Sequence, residues 1–193
     1  MKPILTITAV LTCCLLAVVP LRAQDENEAP GLDKSPMDMS YYPPRAAFRA
    51  FEKNEAKRTA MAPVMRIIYS RPQVNDREVM GELVKYGEVW RLGANENAEL
   101  QVYEPVTLGG AQLEPGRYSL HAIPGEEEWT LIVNEAVDAW GSYSYDESKD
   151  VVRISAEVSE TPGMVEAFTM YFAGDDLVIA WENTQVTVPV EKD

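Results

Sequence analysis

The chain of 193 residues has two cysteines, Cys13 and Cys14, and both lie in its first apolar stretch. Downstream of that stretch no disulfide can form and no thiolate can hold a metal. Histidine is scarcer still: His121 is the only one, which excludes a histidine-rich metal centre. The nucleophile elbow GxSxG, the zinc motif HExxH and the phosphate-cradling GxxxxGK[ST] and GxGxxG are all absent. A Ser-His-Asp arrangement exists only in the sense that the three residue types occur. Neither a metal nor a cofactor is expected. Basic residues are also few, 17 against 31 acidic, giving a net charge of −14. A surface of that sign repels nucleic acid and anionic lipid, so neither is an expected partner.

What is present begins with a leader. Lys2 is followed by an apolar run, Ile4 to Val19, which Pro20 ends just before Leu21-Arg22-Ala23. This reads as a signal peptide over residues 1–23, because the run falls short of the ~20 residues that span a bilayer. A lipid anchor would need a small residue immediately before the modified cysteine, where Thr12 and Cys13 stand. The expectation is an exported protein, periplasmic or secreted, with no membrane insertion after cleavage. Removing Lys2 and Arg22 would leave 15 basic and 31 acidic residues, a net charge of −16.

Residues 24–36, QDENEAPGLDKSP, hold too little apolar surface to offset their ordering entropy and read as a flexible tether. In 37–63, Pro43-Pro44 forbids helix locally. Beyond it, Arg45 to Met61 is rich in Ala, Lys, Arg and Glu, with Phe48 and Phe51 three apart, and favours a short amphipathic helix over an edge strand.

From Val64 the pattern is that of strands. Ile67-Ile68-Tyr69 is β-branched and aromatic. Tyr118, Leu120 and Ala122 alternate with Arg117, Ser119 and His121; Phe168, Met170 and Phe172 alternate with Thr169 and Tyr171. Gly109-Gly110, Pro124-Gly125 and Gly174-Asp175 mark turns. Pro189 in the last strand places that strand at an edge. Nine or ten short strands without intervening helices predict an all-β, antiparallel β-sandwich over 64–193, with a jelly roll or a partly closed barrel as the alternatives.

Acidic clusters at Asp146-Glu147 with Asp150, at Asp175-Asp176 and at Glu126-Glu127-Glu128 match no EF-hand spacing and sit beside turns, where solvated acids are ordinary. A more informative crowd is Arg71, Arg77, Trp90, Arg91, Asn95 and Glu96, interleaved with Gly and Pro. An arginine beside a tryptophan can stack and still offer a planar donor fork to a carboxylate or phosphate. The alternative is internal pairing with Glu82, Glu88 or Glu96. The expected ligand-binding set is Arg71, Trp90, Arg91, Asn95 and Glu96, converging at one end of the sandwich, with Glu96 orienting an arginine.

Four stretches occur in a telling order: RIIYSRPQVNDREVMGELVKYGEVWRLGANEN from Arg66, GRYSLHAIPGEEEWTLIVN from Gly116, AWGSYSYDESKDV from Ala139 and WENTQVTVPV from Trp181. Together they resemble the bacterial Domain of Unknown Function 2911 family. The resemblance implies architecture and transfers no catalytic residue. The functional expectation is a non-catalytic module of the cell envelope that binds a small anionic ligand or an envelope protein. The alternatives are a carboxylate-dependent hydrolase acting on carbohydrate and a structural acidic secreted domain.

Overall fold

The computed structural model describes residue 29 and residues 31–192; the expected signal peptide and much of the tether lie outside them. The strands are β1 (Met37–Tyr42), β2 (Met65–Ser70), β3 (Ala98–Val102), β4 (Val106–Leu108), β5 (Ala111–Leu113), β6 (Gly116–Ile123), β7 (Glu128–Asn134), β8 (Asp150–Ala173) and β9 (Asp176–Lys192). They form one antiparallel sheet in the order β1-β2-β3-β6-β7-β8-β9-β4-β5, which is all-β and not closed into a barrel.

Two long strands give the sheet its second layer. The first part of β8, from Asp150 to Glu157, pairs with β7, and the part from Val158 onward pairs with β9. The register shifts between Glu160 and Val165, across Pro162-Gly163, and again between Val165 and Thr169, and bulges of this kind bend a strand enough to change layers. The bent half then lies against the start of the sheet. Tyr42 packs on Phe172 and Tyr69 meets Phe168 edge-on, with ring centroids at 5.5 and 5.8 Å. An isolated bridge, Gln73 to Ala167, ties the segment after β2 to β8. Between the layers lies one core whose largest fully buried side chains include Trp129, Trp181, Phe168 and Met65.

Three features differ from the sequence expectation. The sheet starts at Met37 rather than Val64, because β1 pairs in full register with β2, from Met37 opposite Ser70 to Tyr42 opposite Met65. Its text alternates, Met37-Asp38-Met39-Ser40, but both methionines are exposed and the adjoining Pro43-Pro44 and Ala-rich stretch draw the reading away from a strand. The expected helix is instead a 3-10 turn, Ala46–Phe51, and a single six-residue helix, α1 (Glu55–Ala60). Finally, β9 is not an edge strand, since it lies between β8 and β4. Its ladder with β8 ends at Val186 opposite Val158, and Pro189 lies beyond that point, where its carbonyl accepts from Gly109 N at 2.8 Å.

Candidate functional site

The candidate site is built where the end of β2 meets the turn before β3. Trp90 bridges to Ala122 of β6 through two backbone hydrogen bonds of 2.7 and 2.8 Å. Strand alternation then sends neighbouring side chains to opposite faces. Trp90 enters the core, stacked on Trp181 at 5.8 Å and edge-on to Trp129 and Phe168, with its indole N–H donating to Gly93 O at 3.2 Å. Arg91 next to it is half-buried. Leu92, Gly93 and Asn95 all take positive φ, so the chain turns sharply here. The turn is clamped by Ser70, whose hydroxyl donates to Ala94 O at 2.5 Å and accepts from Ala94 N at 2.7 Å. A Cβ on Gly93 would stand 2.8 Å from that hydroxyl and 3.0 Å from Ser70 O, so this close approach requires glycine.

Two clefts share Leu83, Val84, Trp90 and Arg91. The larger, of about 540 Å³, is also lined by Lys34, Pro72, Gln73, Arg77, Gly93, Ala94 and Trp181. Its lining carries three cations, Lys34, Arg77 and Arg91, and no carboxylate among the described residues. The smaller, of about 260 Å³, adds Lys85, Glu88, Ser142 and Tyr143. Arg77 is held in place by donating from Nε to Val74 O at 2.9 Å and from Nη2 to Gln73 O at 2.5 Å.

Arg91 is the unusual member. Among the described residues its half-buried guanidinium has no ion pair and no hydrogen bond, and its Nε is fully buried without a partner. Burial lowers its pKa, and nearby Tyr143 opposes that shift. The Ser142 hydroxyl, on the smaller cleft, is likewise buried without a partner. Leaving such donors unsatisfied is costly.

The other expected site residues are placed differently. Arg71 donates to Asp38 Oδ2 at 3.0 Å, to Phe168 O at 3.0 Å and to Thr169 Oγ1 at 2.7 Å, and it lies outside the lining of both clefts. It pins β8 to the start of the sheet. Asn95 contributes its carbonyl, which accepts from Gly141 N at 2.9 Å. Glu96 bridges to Trp140 and lines a separate pocket of about 180 Å³ with Asn97, Glu99 and Asp138, so it does not orient Arg91. Trp90 and Arg91 are therefore brought together, joined by Lys34, Arg77, Trp181 and Tyr143. The last two sit inside stretches already notable in the sequence, but nothing in a linear pattern ties them to Arg91.

Next to this site the outer face of β6 and β7 is covered by the chain between β7 and β8. His121 is 2% exposed and lies 3.1 Å by its Nε2 from Ser119 Oγ and 3.4 Å from Asn97 Nδ2; its Nδ1 is buried without a partner. Burial drives its pKa from 6.5 to about 4, so the ring is neutral. Asp150 accepts from Asn134 and Tyr145, each at 2.7 Å, and from Arg153 at 2.8 Å. Burial pushes its carboxyl up, but those hydrogen bonds outweigh it and hold the pKa below the usual value. Asp150 thus serves Tyr145, Asn134 and Arg153 rather than His121, and Ser119 is itself buried, which is a structural polar layer and not a nucleophile with its base. Among the described residues no group of three or more His, Cys, Asp or Glu converges as a metal site.

A family described as a protein of unknown function (DUF2911) matches residues 52–190, a span that runs from just before α1 into the last residues of β9. No curated protein and no solved structure matches the chain.

Proposed function

The chain belongs to the DUF2911 family, and within that frame we propose that it is an exported binding module that captures a small anionic ligand in the Arg91 cleft. One observation carries this reading: a half-buried guanidinium without an acid partner, in a chain that has 31 acidic residues and 17 basic ones. Carboxylates are plentiful, yet the larger cleft collects three cations and excludes them. An incoming carboxylate or phosphate would take the free donor edge of Arg91 as a charge-assisted, bidentate acceptor. Lys34 and Arg77 add positive potential, and Trp90, Trp181, Leu83 and Pro72 supply apolar wall. The lack of a facing carboxylate pair in that lining favours binding over carboxylate-dependent hydrolysis, which requires two.

The test is a thermal-shift screen of organic carboxylates and phosphate esters against neutral sugars and amines. A saturating hit at 100 times its Kd adds ~2.7 kcal/mol of stability. The hit should vanish in Arg91→Ala and persist in Arg66→Ala, since Arg66 also has a buried unpartnered Nε but lines neither cleft. Stabilisation by cations alone, or equal loss in both variants, would reject the reading. Export is tested separately, by finding Gln24 as the first residue of the protein recovered from its native compartment.

A further inference from the structure

The strongest departure from the acidity of this protein lies away from the Arg91 cleft. Between Arg45 and Met61 there are five basic residues, Arg45, Arg49, Lys53, Lys57 and Arg58, and two acidic ones, Glu52 and Glu55. The segment therefore carries a net +3 in a chain of net −14. It also leaves two phenylalanines in water. Phe48 is 56% exposed and Phe51 81% exposed, and with Pro44, Arg45, Glu52 and Met61 they line a groove of about 660 Å³.

Nothing in the fold accounts for these exposures. The 3-10 turn buries only Ala46, and α1 buries no residue at all. The two acids are already engaged: Glu52 accepts from Asn54 N at 2.8 Å and Glu55 pairs with Arg58. Arg45 lies over the Phe48 ring at 5.8 Å, and Arg49 donates to Ala46 O, so neither is neutralised by a carboxylate. Lys53 and Lys57 have no ion pair among the described residues. Aromatic rings beside unneutralised Lys and Arg form the pattern of a surface that lies in a membrane interface, with rings at the headgroup boundary and cations on the phosphates.

We propose that residues 45–61 dock this protein onto anionic phospholipid, with Phe48 and Phe51 entering the interface and Arg45, Arg49, Lys53 and Lys57 meeting the headgroups. Whole-chain charge predicts repulsion from such a surface. The distribution reverses that locally, because beyond a Debye length of ~8 Å the remaining acids are screened at physiological salt. Repulsion from the acidic remainder of the protein favours the orientation in which this segment faces the lipid. The contact is interfacial: among the described residues no helix is long and apolar enough to cross a membrane.

Co-sedimentation of the full chain with phosphatidylcholine vesicles, with and without phosphatidylglycerol, tests this. The apolar leader contributes equally to every variant, so the differences report on the segment. Partitioning should rise with phosphatidylglycerol and fall with salt. It should drop at least ~10-fold in the variant combining Phe48→Ser and Phe51→Ser, and similarly for Arg49→Glu with Lys57→Glu. Because these side chains are exposed, melting temperatures should hold, and Arg91→Ala should partition as the parent does. Equal partitioning of the parent with or without phosphatidylglycerol, or no loss in either double variant, overturns the proposal. So does a concentration-dependent dimer in free solution that the phenylalanine variant abolishes, which would give the patch to a second copy of the chain.

Discussion

His121 offers a direct test of how the covered face of β6 contributes to stability. The ring is 2% exposed and its pKa falls from 6.5 to about 4, with burial as the leading cause and Asp150 pulling weakly the other way. In the unfolded chain the ordinary value applies. Above pH 6.5 the ring is neutral in both states and costs nothing. Between 6.5 and 4 the unfolded state binds the proton that the folded state refuses, so stability falls as pH falls, by about 1.4 kcal/mol per pH step, and levels off below 4. The full loss is about 3 kcal/mol, of which some 2–3 should have accrued by pH 4.5. No second histidine competes in this window, and the depressed carboxyls of Asp146 and Asp150 give up their stabilisation only below about pH 4. The perturbation is His121→Gln, which stays neutral and can still meet Ser119 and Asn97. The assay is urea unfolding followed by tryptophan fluorescence at pH 7.5, 6, 5 and 4.5. At pH 7.5 the variant should be the less stable by about 1–2 kcal/mol, for lost packing and hydrogen bonding. That gap should close and then reverse on acidification. Parallel curves at every pH would refute the reasoning, because they would mean that the ring accepts a proton in the folded state as readily as in the unfolded one.

Trp90→Ala removes the ring shared by Trp181, Trp129 and Phe168 and should cost about 3–5 kcal/mol in urea unfolding, whatever its effect on ligand. Asp38→Asn weakens only the half-exposed pair with Arg71, so it should cost about 1 kcal/mol or less and leave any ligand hit from the screen intact. Gly93→Ala forces a Cβ to 2.8 Å from Ser70 Oγ at φ +143, and should cost about 1–3 kcal/mol while loosening the Ser70–Ala94 clamp behind the cleft.

The strand alternation from Val64 onward was legible because one face of most strands is buried and the other wet, and the observed pattern of β2 and β3 shows this directly. It misled wherever a second layer covers both faces. Ser119, Leu120, His121 and Ala122 are all buried, since the chain after β7 folds over the side of β6 that alternation assigns to water. In β1 the alternation points the wrong way: Met37 and Met39, which the text marks as the inside, are exposed, and only Tyr42 is buried. The join between the two halves of β8 runs through Thr161-Pro162-Gly163, which reads as a break; here the proline and glycine sit at a bulge that bends a continuous strand. For the site, Trp90 and Arg91 could be picked out as neighbours with contrasting chemistry. Lys34 and Trp181 could not be attached to them, because their approach is set by the tertiary path of the chain and not by spacing.

Partner assignment, more than arginine content, separates the pin Arg71 from the proposed receptor Arg91. Arg71 directly follows Ser70 and Arg91 lies three residues before Ala94, the residue that Ser70 clamps, so both stand beside the same junction of an acidic protein. Arg71 has its donors taken by a carboxylate, a carbonyl and a hydroxyl from two strands, so removing it loosens those strands and nothing more. Arg91 has nearly two acids per base available in the chain and uses none of them. With supply so ample, a cleft lining of three cations without a carboxylate is a property of the geometry, since an acid placed there would quench the donor fork. A Glu introduced at Gln73, on the same cleft, provides the complementary perturbation. It should raise stability slightly by giving the cations a partner, by about 0.2–1 kcal/mol for so open a pair, while suppressing anion binding at least as strongly as Arg91→Ala. A Gln73→Glu protein that still bound the anion normally would show that ligand and lining do not compete for the same donors, and the cleft would lose its claim as the site.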